Sequence, residues 1–324
     1  MKRRKFITLV GAASTFPWFS AARSQVSRRS YRIAVLADDR VLSDPDGKPV
    51  WRAFSEELAA GGFVEGSNLR VDRRGFGQAD QLDTMAIELV RTRPDVVFAL
   101  APAAGHAAQR ATRNIPIVVL ADDLVTSGLV GSMPRPDGNL TGVSIFAFHL
   151  DVKRLELLHE ALPSARRIGI LAESDRSFDA LERAARLLGV EIMLFKAGAN
   201  KEVTDAIDAM KAKSIDAVNV LASAKLWSIH SLIIEQLALH RIPSIWQWPQ
   251  GAEDGGLIAY GPRLDGVLRL CGRQIVRLLR GTKVADVPVE QPTELILGIN
   301  LRAAKALGVG IPPTLLSRAD QVLD

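Results

Sequence analysis

The sequence predicts an α/β protein of two lobes, each built on a parallel sheet, and three observations carry that prediction. Short β-branched runs alternate with amphipathic helical segments along the chain. Five of the runs finish almost alike: IAVLAD (33–38), VVFALAP (96–102), IVVLAD (117–122), IGILAE (168–173) and VNVLAS (218–223). The opening RIAVLADD (32–39) also returns as RIGILAES (167–174), each followed by a helix, a further strand (LRVDRRG, VEIMLFK) and another helix.

Each of the five runs is almost continuously apolar, as a strand covered by helices on both faces must be. Each then reaches Leu-Ala and turns polar or to proline. A small alanine lets a neighbouring group approach at the strand's carboxyl end, where ligands bind in open α/β sheets. Two such lobes with their strand ends facing one another would enclose a cleft suited to a small molecule. The Pro/Gly turn and strand RPDGNLTGVSIF (135–146) is the expected link, with the second lobe starting near residue 150.

The amino terminus reads as an export signal rather than as part of either lobe. Lys2, Arg3, Arg4 and Lys5 precede an uncharged run from Phe6 to Ala22, and Ala22-Arg23-Ser24 offers a cleavage point near Ser24. RRKF resembles the twin-arginine export motif, with ordinary secretion the alternative. Of the 324 residues, 41 are Lys or Arg and 36 are Asp or Glu. The five basic residues of segment 1–24 account for the whole excess, so no nucleic-acid partner is indicated. The expected location is the periplasm.

Local signatures of catalysis and of cofactors are missing. The turn after the first strand has no glycine, so G-x-G-x-x-G is absent, and neither a P-loop nor a G-x-S-x-G elbow occurs. No two of the five histidines stand three or four apart, and His159-Glu160 meets Pro163 where a zincin has its second histidine. His149 and His159 fit a solvated face of the helix holding Lys153, Arg154 and Glu156. The single cysteine, Cys271, falls on the apolar face of a helical pattern and reads as an inert buried thiol. The expectation is a protein that is not an enzyme, with no cofactor and no metal.

Candidate ligand contacts come from the strand ends. Acids gather there: Asp38 and Asp39, Asp122 and Asp123, Glu173 and Asp175, with Ser223 closing the fifth run. Carboxylates in a cleft can hold an ammonium or hydroxyl group by charge-assisted hydrogen bonds; helix caps are the competing role. Asp123 is the preferred contact, followed by Asp38 and Glu173. PAAGHAAQR opens a helix after the third strand, so the N–H groups of Ala103 and Ala104 can receive a carboxylate. In IWQWPQ (245–250), Trp246 and Trp248 share one face of an extended chain, with Gln247 opposite. They read as an aromatic wall of the cleft, with core packing as the competing role. Tyr260, ending GLIAY, is a further wall residue. The polar loop DDRVLSDPDGKPV (38–50) is a surface loop or a lid.

Several long stretches then carry a family resemblance. VPVEQPTELILGINLRAAKALGVGIPPTLLSRADQVLD (287–324), LAAGGFVEGSNL (58–69), GLVGSMPRPDGNLTGVS (128–144), KRLELLHEALPSARRIGIL (153–171), GGLIAYGPRL (255–264) and the start KRRKFITLVG resemble bacterial ABC-transporter substrate-binding proteins of the tryptophan/tyrosine-transporter type. That resemblance implies a periplasmic binding protein type I fold: two Rossmann-like lobes, several hinge crossings and a ligand between them. It implies an export signal over 1–24, a first lobe of 31–146 plus about 263–290, and a second of 147–262 plus about 291–324. Asp123 matches a recurring acid of the family, although Leu124 replaces the usual proline. Asp38-Asp39 and Pro102-Ala103-Ala104 stand where relatives often have Gly, Ser or Thr.

The expected function is therefore the extracytoplasmic solute-binding component of an ABC importer, a monomer that meets permease subunits in the inner membrane. An amino acid or related amine is the favoured ligand. The alternatives are a ligand-sensing subunit for a membrane sensor and an exported α/β enzyme.

Overall fold

The computed structural model describes residues 29–37, 49–75, 79–173 and 177–324. The expected export signal, Asp38, Asp39, most of the 38–50 loop and Asp175 lie outside the described residues.

Two sheets organise the chain. The first is formed by β1 (Tyr31–Ala37), β2 (Leu69–Gly75), β3 (Val96–Leu100), β4 (Ile117–Ala121) and β5 (Leu140–Ser144), in the order β2-β1-β3-β4-β5 and parallel throughout. Alternate residues of β1 serve opposite faces, as a two-sided strand requires. Ile33 and Val35 pack with Trp51 and Phe54 of α1 (Pro49–Ala60) and with Val267, Leu268 and Cys271 of α10 (Leu264–Leu279). Ala34 and Leu36 pack with Met85 of α2 (Leu82–Arg91) and Ala107 of α3 (Pro102–Ala111). Cys271 is fully buried, and burial pushes its thiol well above the ordinary value.

The second sheet takes β6 (Arg167–Ala172), β7 (Glu191–Lys196), β8 (Ala217–Val220), β9 (Ser244–Trp246), β10 (Ile258–Gly261), β11 (Ile296–Asn300) and β12 (Gln321–Leu323), in the order β12-β11-β10-β9-β8-β6-β7. All its pairs are parallel except β10 with β11. β11 enters the sheet only after the chain has left it to build α10. One face is covered by α4 (Asp151–Ala161), α5 (Asp179–Leu188), α11 (Leu301–Leu307) and α12 (Pro313–Leu316). The other is covered by α6 (Asn200–Ala212), α7 (Ala224–Ser228) and α8 (His230–Leu239), and its apolar cluster runs on into the α1/α10 face of the first sheet. The short helix α9 (Gln250–Glu253) follows β9.

The chain passes between the sheets three times: after β5, between β10 and α10, and from α10 to β11. Residue choice seats α10 on the first lobe and anchors the third passage. Gly61 brings α1 close to α10, since a Cβ there would lie 2.5 Å from a Val276 methyl. Gln274 of α10, fully buried, donates to the carbonyls of Gly142 (3.0 Å) and Pro288 (3.1 Å). The third passage thereby lies along β5, where Ser144 N–H donates to Glu290 O at 2.9 Å. Among the described residues, no helix is long and apolar enough to cross a membrane.

Candidate functional site

The first passage brings the carboxyl ends of both sheets to one place. Beyond β4, the carbonyls of Ala121 and Asp122 accept from Ile145 N–H (3.0 Å) and Phe146 N–H (2.8 Å). The Asp122 carboxylate accepts from Phe148 N–H at 3.1 Å. A few residues on, Arg154 of α4 points back to the same segment. Its side chain is fully buried and donates to the carbonyls of Ala147 (2.5 Å) and Tyr260 (2.9 Å) and to the Asp151 carboxylate (2.6 Å). Asp151 in turn accepts from Ala222 N–H beyond β8 at 3.4 Å, and its carbonyl accepts from Asn219 Nδ2 at 3.1 Å. The ends of β4, β5, β8 and β10 are thus joined through one polar network. Of the helix expected to carry His149 and His159 on a solvated face, Arg154 is interior, while His149 is exposed and His159 partly buried. Asp151, Arg154, Leu158 and Ala161 occupy one stripe of α4, so the buried face carries the ion pair as well as the leucines.

On the second sheet, Glu173 and Ser223 come together, with the hydroxyl donating to the carboxylate at 2.5 Å. Ser223 also caps α7, accepting from Leu226 N–H at 3.1 Å. Gln247, 3% exposed, accepts from Ser223 N–H (3.1 Å) and donates to Ser223 O (3.0 Å). This reciprocal pair locks the β8 and β9 ends in register. Sequence patterning marked Gln247 only as the residue opposite two tryptophans.

On the first sheet, Ala103 is exposed and Ala104 buried at the start of α3, and no side chain caps that start. Ala101 precedes it with φ 78° and ψ 156°, a region that side-chain-bearing residues rarely enter. Its N–H donates to Leu120 O at 2.9 Å, which ties the α3 start to the end of β4. Asp123 is turned into its own loop: Oδ1 accepts from Val125 N–H (2.9 Å) and Thr126 N–H (3.2 Å). Burial raises its pKa, but the hydrogen bonds from Thr126 and Val125 outweigh that and hold the carboxyl below the ordinary value. Asp122 goes the other way. Burial pushes it up to about 6, against the lowering effect of the Phe148 and Ala147 N–H groups and of His149.

The tryptophans depart from the expected wall. Trp246 is 1% exposed, donates from its indole to Ser244 Oγ (2.9 Å) and stands edge-on to Trp227. Its ring is enclosed by glycines: a Cβ at Gly251 would lie 2.6 Å from it, and one at Gly256 2.3 Å. It is an interior residue of the second lobe because β9 is a central strand covered on both sides. Trp248 is 6% exposed and belongs to the same apolar cluster. Tyr260 is partly buried, and its carbonyl serves Arg154. No group of His, Cys, Asp and Glu able to hold a metal ion occurs among the described residues.

Two outcomes follow. Trp246→Ala lowers the unfolding free energy by about 3–5 kcal/mol, read by urea denaturation; a loss under 1 kcal/mol would remove Trp246 from the core. The second concerns pH. Asp122 rises from 3.8 unfolded to about 6 folded, so its contribution to stability is present below about pH 4 and lost as pH climbs through 6. Asp122→Asn lacks that titration. The stability of the wild type relative to the variant therefore falls by on the order of 2 kcal/mol between pH 4 and 7. A difference independent of pH would contradict the burial of this carboxyl.

A family model described as ABC transporter substrate binding protein matches residues 33–323. A protein of Clostridioides difficile (strain R20291) named tyrosine-binding protein is 28% identical over 276 residues, covering 83% of this chain and 79% of its own length. Among solved structures, a conserved domain protein from Vibrio cholerae is similar with a TM-score of 0.79 and 23% identity, over 91% of this chain and 99% of that one. An ABC domain from Streptococcus pneumonia in complex with L-Trp is similar with a TM-score of 0.75 and 24% identity, over 91% of this chain and 100% of that one. The two lobes and their type I periplasmic-binding architecture match these neighbours, and the chain belongs to the family of ABC transporter substrate-binding proteins.

Proposed function

We propose that this protein is the extracytoplasmic receptor of an ABC importer, that it closes its two lobes around an amino acid or a closely related amine, and that it delivers the ligand to permease subunits. The observation that carries this reading is the convergence of the β4, β8 and β10 ends on one polar network. The two sides of that junction are chemically complementary to an amino acid. The uncapped α3 start offers the Ala103 and Ala104 N–H groups to a carboxylate. The Glu173–Ser223 pair offers a carboxyl group and a hydroxyl to an ammonium group. Tyr260, partly buried, supplies apolar surface near the same strand ends. The tyrosine-binding relative and the L-Trp complex support the ligand class.

Closure driven by ligand needs contacts that only the closed form makes to both lobes. A receptor of this kind works outside the cytoplasm, and the basic and then apolar segment ahead of Ser24 is suited to exporting it. The protein acts as a monomer and makes no bond in its ligand.

A thermal-shift screen of the mature chain against the twenty L-amino acids, purines and sugars tests the reading. An amino acid should raise the melting temperature in proportion to the logarithm of its concentration. Glu173→Gln should weaken that ligand about tenfold, one charge-assisted hydrogen bond's worth. Stabilisation by sugars or purines alone would overturn the amino-acid assignment.

A further inference from the structure

We propose that the Ala147–Phe148 peptide is a two-sided latch between the lobes, held by Asp122 of the first and Arg154 of the second, and that this latch sets how far the lobes open. The two groups grip opposite ends of one peptide unit. Its N–H donates to the Asp122 carboxylate at 3.1 Å, and its carbonyl accepts from the Arg154 guanidinium at 2.5 Å. A peptide is planar and nearly rigid, so it moves as one body. Any rotation of the lobes about this passage swings the unit away from one holder or the other.

The surroundings make both holders stiff. Asp122 follows β4 directly, and its own carbonyl is bonded to Phe146 N–H at 2.8 Å. Arg154 spends its second nitrogen on Tyr260 O at 2.9 Å, one residue before β10 ends at Gly261. One guanidinium therefore touches the first passage and the strand that leads into the second. Phe146, just ahead of the latched peptide, is left-handed at φ 54° and ψ 30°. That conformation is unfavourable for a bulky residue and persists only where its surroundings demand it. The link from Arg154 through Asp151 to Ala222 N–H extends the latch to the loop that carries Ser223. Lobe position and the geometry of the Glu173–Ser223 pair are thereby coupled through named bonds. The inference needs no ligand, so it stands or falls separately from the amino-acid reading.

Spin labels test it in the ligand-free protein at pH 8. Ile87 of α2 is 46% exposed and Leu187 of α5 is 89% exposed, and Ile87→Cys with Leu187→Cys places one label on each lobe. The native thiol, Cys271, is fully buried and stays unlabelled. The otherwise wild-type pair gives one narrow distance distribution. Asp122→Ala and Arg154→Lys each add a second distance that holds at least about a third of the molecules. Trp246→Phe, which loosens the second lobe internally, keeps the single distribution. The latch is refuted if the Asp122→Ala and Arg154→Lys variants melt cooperatively with an unchanged distribution, even at a lower melting temperature. It is refuted equally if Trp246→Phe produces the same second distance. Should Arg154→Lys fail to fold, Asp122→Ala decides alone.

Discussion

A guanidinium with no exposure to water organises this molecule. Removing Arg154 from solvent costs several kcal/mol unless acceptors surround it, and three are supplied by three different parts of the chain. Ala147 lies in the first passage, Tyr260 at the end of β10, and Asp151 at the head of α4. None of them can move far without stranding a buried charge. The strand ends that would face a ligand are therefore held by electrostatics at their edge and by apolar packing everywhere else.

The two lobes solve the same problem with different chemistry. In the first, the β3 and β4 ends are tied through backbone bonds, an uncapped helix start and a strained Ala101. In the second, side chains do the tying: Gln247 locks Ser223, Ser223 caps α7, and its hydroxyl reaches Glu173. One side thus presents N–H groups and the other a carboxylate and a hydroxyl. These are the two surfaces that the proposed amino-acid ligand would bridge.

The fold was legible because its cause is local. Near-continuous apolar runs that end in Leu-Ala can be satisfied only as doubly covered strands, and all five appear as β1, β3, β4, β6 and β8. The polar network was harder to read. Arg154 looks like any solvated arginine on an amphipathic helix, yet it shares the phase of Asp151, Leu158 and Ala161. Gln274 sits in the same way within the stripe formed by Cys271, Ile275 and Leu278. A polar residue in step with an apolar stripe was the available signal. Trp246 misled for the converse reason: alternation showed which residues share a face, but not that both faces of β9 are covered. Asp123 follows its strand as a ligand contact would, and its Oδ1 serves the local turn.

In the proposed function a ligand touches the carboxyl ends of both sheets across one shared gap. Hydrogen–deuterium exchange measures this directly, with and without a saturating concentration of the amino acid that stabilises the protein most. Exchange should slow at once in residues 101–105 of the first lobe, in 221–226 of the second, and in the passage at 145–149. Slowing confined to one lobe, with the other and the passage unchanged, would contradict it.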